Sequence, residues 1–171
     1  MALKLLPMEK RRQKAKHLQK ERRQLKTLMQ KQKKRRNKMK KRRVALVLFH
    51  DNKGNLLLQD RREISKWGEE YGFFGGGIEK GETPEQALKR EIMEELGLDL
   101  QHFTFFKKTE SEIPGYNLMA ERNMFLAPLP GKEMINATEG NAVFMNLSET
   151  KELKLIPGDR LLLDQIVKLI R

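Results

Sequence analysis

The sequence predicts an α/β sandwich with a mixed sheet, preceded by a basic arm that is partly helical or disordered. Three observations carry this reading. The composition changes abruptly at Val44, short apolar runs then alternate with turn residues, and one helix has capping residues at both ends. A chain of 171 residues holds one domain with a proper core plus an appendage, and is too short for two ordinary domains. We divide it into an arm, residues 1–43, and a domain, residues 44–171.

Charge supports the division. Residues 1–43 hold 20 Lys/Arg against Glu9 and Glu21, a net +18, whereas residues 44–171 hold 16 against 21 Asp/Glu, a net −5. The overall pI near 10 therefore describes a cationic leash on a mildly acidic domain. The absence of cysteine excludes a disulfide, a thiolate zinc site and a cysteine nucleophile, and fits the reducing cytoplasm we expect as the location. Oxygen-ligated metals remain open. The longest apolar run, Val44 to Phe49, falls far short of the roughly 20 residues that cross a bilayer, so no membrane span is expected. Residues 1–7 are too short for a signal-peptide core.

After Pro7 the arm has no Gly or Pro, and local propensity favours a helix. Leu18, Leu25, Leu28 and Met29 make only a thin, broken stripe, and repulsion among Lys31 to Arg43 opposes an isolated helix. The arm also reads as a plain solvated charge run, or as an extended gene start ahead of Met39.

In the domain, Val44–Phe49 reads as a buried strand, Asp51–Gly54 as a turn and Leu56–Arg61 as a second strand. A polar loop runs from Arg62 to Tyr71, and Gly75, Gly76 and Gly77 mark backbone that turns tightly or approaches a ligand closely. Thr83 then N-caps a helix, with Pro84 in its first position and Gln86 completing a capping box; the helix stops near Leu96, with Gly97 as its C-cap. Phe103–Lys107 and Asn117–Leu126 read as strands joined through Pro114 and Gly115. A longer loop opens at Pro128 and ends near Gly140, and Ala142–Leu147 is a further strand, with Ser148 capping a short turn. A terminal helix starts at Asp159 and turns Leu162, Ile166 and Leu169/Ile170 to the core.

The first of these helices carries the chemistry. Glu91, Glu94 and Glu95 stand at i, i+3 and i+4, gathering three carboxylates within one turn, while Leu88, Ile92 and Leu96 form the opposite stripe. Like charges so spaced destabilise a helix, and Arg90 alone does not neutralise them. A hard divalent cation does, since Mg²⁺ takes carboxylate oxygens and keeps waters for a phosphate-bearing substrate. The alternative is an ordinary solvated acidic face partnered by Lys89 and Arg90.

Gly76, five residues, Glu82, seven residues, then Arg90-Glu91-Ile92-Met93-Glu94-Glu95-Leu96-Gly97-Leu98 matches the signature of Nudix hydrolases at every position, and the chain from Val44 onward resembles that family. The resemblance implies an α/β/α sandwich and a Mg²⁺-dependent (Mn²⁺ in its place) hydrolase that cleaves the diphosphate linkage of a nucleotide derivative by attack of water on phosphorus. It implies Glu91, Glu94 and Glu95 as metal ligands, one of them, with Glu91 preferred, orienting or deprotonating the water. It also implies a carbonyl oxygen of Gly75 or Gly76 as a further ligand, and Glu82 with Arg90 as a supporting pair beside the catalytic Glu91 and Glu95. Glu139, in the region where several members carry an extra glutamate, is the candidate fourth ligand or base, ahead of Glu133.

Members that clean up oxidised nucleotides read Phe/Trp-x-Phe-Pro-Gly-Gly before this box. Here Tyr71-Gly72-Phe73-Phe74-Gly75-Gly76 lacks the proline, which weakens an assignment to oxidised dGTP. Trp67, Tyr71 and Tyr116 are candidates for stacking on a base. His17, His50 and His102 have no ligand-like spacing. The box fixes the chemistry and not the substrate: ADP-ribose, nucleotide sugars, dinucleoside polyphosphates, modified nucleoside triphosphates and capped RNA all stay open, as does the oligomeric state.

A small nucleotide is the expected partner. Residues 8–43 add the prospect of non-specific contact with RNA or the ribosome, sequence-blind because the segment has no aromatic residue. The competing classes are an RNA 5′-end pyrophosphohydrolase and a nucleic-acid-binding protein that keeps only the fold.

Overall fold

The computed structural model describes residues 8–66, 68–138, 140–156 and 158–170. The chain separates between Met39 and Lys40 into two compact units.

In the first unit, α1 (Met8–Lys38) is one continuous helix of 31 residues, where only partial helix was expected. At about 1.5 Å per residue it is about 46 Å long. No Gly or Pro interrupts it, and His17 with Glu21 adds an i, i+4 pair at 3.2 Å. Leu18, Leu25, Leu28 and Met29 are all exposed, so nothing apolar explains the segment.

The second unit is built on β1 (Lys40–His50), β2 (Asn55–Asp60), β3 (Tyr71–Gly72), β4 (Phe74–Gly77), β5 (Thr104–Ile113), β6 (Leu118–Pro128) and β7 (Asn141–Asn146). The strand order is β3-β2-β1-β6-β5, with β4 also on β1 and β7 also on β2. β1 and β6 are parallel, from Lys40 opposite Leu118 to His50 opposite Pro128, and the other pairs are antiparallel, giving the mixed sheet expected. β1 starts at Lys40 and not at Val44 because pairing with β6 carries the backbone on through Lys40–Arg43, whose side chains stay exposed. The glycine run is a strand and not a tight turn: β4 pairs with β1 from Val44 opposite Gly77 to Val47 opposite Phe74.

Helices cover both faces of this sheet. α2 (Pro84–Leu96) buries Leu88, Ile92 and Leu96 against Ala45, Val47, Phe49 and Leu57. α3 (Asp159–Ile170) buries Leu162, Leu163 and Ile166 against Leu46, Leu48, Leu56 and Leu58. Successive residues of β1 and β2 thus feed opposite cores, which is why both strands read as unbroken apolar runs. Leu169 is 64% exposed and does not face the core as expected; Ile170 lies outside the described side chains. The turn Leu147–Thr150 is capped by Asn146 and not by Ser148, through the bond from the Ser148 amide to the Asn146 side chain. Among the described residues no helix is long and apolar enough to cross a membrane.

Candidate active site

Local chemistry fixes α2 in place. Thr83 and Gln86 form a reciprocal capping box, Pro84 opens the helix, and Gly97 closes it in the left-handed conformation with φ 65°. The amides of Asn136 and Thr138 satisfy the carbonyls of Leu96 and Glu95, so the last turn is tied down as well.

Four charged residues of that helix, Arg90, Glu91, Glu94 and Glu95, diverge. Arg90 forks outward: Nε and Nη2 donate to Glu82 at 2.8 and 3.0 Å, Nη1 to Glu91 at 2.9 Å and Glu94 at 3.2 Å, and Nη2 also to the Gly77 carbonyl at 2.9 Å. The Arg90 guanidinium, helped by the Glu79 amide, holds the Glu82 carboxyl down to about 2. Glu95 turns inward. It is 5% exposed, and its two oxygens accept from the Gly75 amide at 2.8 Å and the Gln59 side chain at 3.3 Å.

The glycines of β4 make this approach of helix to strand feasible. A Cβ on Gly76 would stand 2.4 Å from the Glu91 carboxyl carbon, and one on Gly75, whose φ is 117°, would stand 2.2 Å from the Ala45 carbonyl oxygen. Two carboxylates of one helical turn are thereby laid against two successive glycines. Among the described residues no three carboxylate or imidazole groups converge, because Arg90 draws Glu91 and Glu94 one way and Glu95 faces another. The donors are nonetheless all oxygens, the set a hard divalent cation takes, and backbone carbonyls of the glycine strand are at hand.

Glu91 and Glu95 line a cleft of about 260 Å³ on the α3 face of the sheet, and Glu94 does not. Its other lining includes Gly75 to Gly77, Arg61, Lys66, Arg122 and Asp159. Arg122 and Asp159 form a buried ion pair: Nε donates to Oδ1 at 2.9 Å, and Nη1 donates to Ser111 at 2.6 Å. Oδ2 of Asp159 is buried without a hydrogen-bond partner among the described residues. Burial pushes this carboxyl up to about 6 against the opposing pull of Arg122.

A family model of the NUDIX domain matches residues 39–166. The chain belongs to the NUDIX family. Over 75 residues it is 40% identical to the Escherichia coli (strain K12) protein named 8-oxo-dGTP diphosphatase, covering 44% of this chain and 58% of that protein. Over 71 residues it is 35% identical to the Haemophilus influenzae protein of the same name, covering 42% and 52%. The matched stretch is thus little more than half the length of either relative. The NUDIX chain also resembles the solution structure of the E. coli ORF135 protein, with a TM-score of 0.62 at 26% identity over 78% of this chain and 93% of that one. The crystal structure of MutT NUDIX hydrolase from Burkholderia pseudomallei shares the fold, with a TM-score of 0.63 at 23% identity over 74% and 98%.

The structure thus gathers Gly76, Glu82, Arg90 and Glu91 of the NUDIX box into one hydrogen-bonded and packed group, with Glu94 at its exposed side and Glu95 buried beneath. Trp67 and Glu139 lie outside the described residues. Tyr71 is half-buried on β3 under the Arg62 guanidinium, and Tyr116 is exposed with its hydroxyl donating to the Lys66 carbonyl at 3.1 Å; neither lines the cleft. Glu133 is exposed on a short turn. Sequence reasoning missed Arg61, Gln59, Arg122 and Asp159. Two signals were available: Arg122 stands with Glu121 and Asn123 between the apolar ends of its strand, and a glycine, Gly158, whose φ is 95°, precedes the helix-opening Asp159.

Proposed function

We propose that this NUDIX protein hydrolyses the diphosphate linkage of a nucleotide derivative, with Mg²⁺, or Mn²⁺ in its place, held by Glu91, Glu95 and Glu94 and a carbonyl oxygen of Gly75 or Gly76. The observation that carries this reading is the close seating of Glu91 and Glu95 on the Gly75–Gly76 strand at the wall of a cleft. The cation, when bound, supplies charge stabilisation at the phosphate oxygens and lowers the proton affinity of the attacking water. The chain's own part is positioning. Arg90, braced by Glu82, holds Glu91 and Glu94; Glu91 orients or deprotonates the water; Arg61 and Lys66 offer positive charge to the phosphates.

Across the cleft, Asp159 suits the reading of a base edge. Its Oδ2, buried and without a hydrogen-bond partner among the described residues, accepts from an N–H donor that reaches it when ionised and donates when protonated. A modified nucleoside triphosphate, the substrate class in the relatives' name, therefore heads the panel despite the missing proline before Gly75. The test is release of phosphate or mononucleotide from such triphosphates, ADP-ribose, nucleotide sugars and dinucleoside polyphosphates with Mg²⁺, comparing wild type with Glu95→Gln. Turnover lost in the variant supports the reading; a folded wild type that turns over none of them sinks it.

One observation favours an RNA-directed reading: α1 carries fifteen Lys/Arg against Glu9 and Glu21. Non-specific attraction of a polyanion follows from that density. It bears on where the enzyme dwells more than on what enters the cleft.

A further inference from the structure

We infer that Gln59 is a positioning residue that sets the orientation of the Glu95 carboxylate. Gln59 is fully buried near the end of β2, on the face shared with Leu57, where α2 packs and an apolar side chain would serve the core better. A buried amide costs free energy unless both its ends are bonded. Here both are: Nε2 donates to Glu95 Oε1 at 3.3 Å, and Oε1 accepts from Arg61 Nη1. Arg61 is itself braced by Glu69, its Nε donating to Oε1 at 3.2 Å, and lines the cleft.

The two neighbours select one orientation of the amide. Reversed, its carbonyl would face a carboxylate and its NH₂ a guanidinium, each pairing like with like. Gln59 therefore presents a donor to Glu95 at all times, and with the Gly75 amide on Oε2 it pins both carboxylate oxygens. A carboxylate has about four lone-pair sites, and these two donors use one on each oxygen. This inference rests on the reading of Glu95 as a metal ligand. Outer partners of metal ligands typically change affinity by about 10- to 100-fold.

The test is Mn²⁺ alone, without nucleotide, titrated into the full chain and followed by loss of the free-ion EPR signal, with a thermal melt of each sample. Gln59→Met keeps the volume and removes the bonds to Glu95 and Arg61; Gln59→Asn keeps an amide too short to span and serves if the first variant fails to fold. Either folded variant is expected to bind Mn²⁺ about tenfold more weakly. Wild-type affinity in a folded variant overturns the role of Gln59, whatever the melting temperature does. Glu95→Gln in the same titration separates the two ideas. If it binds as wild type, the ligand reading of Glu95 fails and takes this inference with it; if it weakens binding while both Gln59 variants do not, Gln59 alone is refuted.

Discussion

The two walls of the cleft solve the problem of holding charge in different ways. Behind the box wall the Arg90–Glu82 pair is only partly buried: the two keep 27% and 20% of their side-chain surface, and solvent shares the work of stabilising them. On the opposite wall Arg122 and Asp159 keep 3% and 1%, so each depends on the other. The difference teaches where function and stability separate. Substitutions in the box are expected to cost activity far more than fold, and substitutions of the buried pair to cost the fold as well as any reading of the base.

The sharpest break of this comparison is Glu95→Gln. It keeps shape but removes charge, and kcat is expected to fall about 10³-fold, the scale of losing one charge-stabilising group. Its single amide oxygen keeps one of the Gly75 and Gln59 donors and its NH₂ faces the other, so stability should drop by about 1 to 3 kcal/mol. Urea unfolding beside steady-state kinetics checks both; an equal loss of fold and activity would erase the distinction between the walls.

Asp159→Asn is the counterpart. It leaves Arg122 buried against a neutral amide but also relieves the burial of an anion, so the loss in unfolding free energy is expected to stay below the about 3 kcal/mol of an uncompensated buried charge. If Oδ2 reads the base, kcat/KM for a nucleotide also falls about 10- to 100-fold, while hydrolysis of a base-free sugar polyphosphate changes little. An equal fall for both substrates would reduce Asp159 to a purely structural role.

These two walls also mark what the sequence discloses. Glu91, Glu94 and Glu95 are neighbours because a helix has 3.6 residues per turn, and Thr83, Pro84 and Gly97 announce that helix; every link is local. The sandwich was legible for the same reason, in apolar runs bounded by turns. Arg122 and Asp159, and Gln59 and Glu95, meet only once the sheet and helices have assembled, and no spacing rule joins them. The strand at Gly75–Gly77 was missed because glycine favours turns, and only pairing with β1 overrides that preference.

Acid sharpens the contrast further. Asp159 has its carboxyl raised from 3.8 to about 6 in the fold, so the native state binds the extra proton between those values. Its contribution to stability is full below about pH 4 and is lost as pH rises through 6. Glu82, lowered from 4.5 to about 2, works the other way: its contribution is present above 4.5 and fades as pH falls toward 2. The stability of wild type relative to Asp159→Asn should therefore be greater at pH 4 than at pH 7, by about 2 kcal/mol at most. Matched urea curves at the two pH values check it, and a difference of opposite sign would mean that Asp159 is stabilised as an anion.

The smallest effect on catalysis is expected from the largest deletion. Residues 1–38 hold 16 Lys/Arg against Glu9 and Glu21, yet Leu18, Leu25, Leu28 and Met29 are exposed and the family match begins at residue 39. A chain starting at Met39 should turn over a small nucleotide within about twofold of the full chain, because every residue proposed to act in the chemistry lies within the matched NUDIX domain. Binding to RNA is a different matter. The full chain should hold it with an affinity that falls steeply with salt, and the truncated chain should lose most of that slope, since each phosphate contact contributes close to one unit. Fluorescence anisotropy of a labelled RNA across a salt series, beside nucleotide turnover by both chains, measures the two effects together. A truncation that slowed small-nucleotide turnover tenfold would tie the arm to the chemistry and not to location.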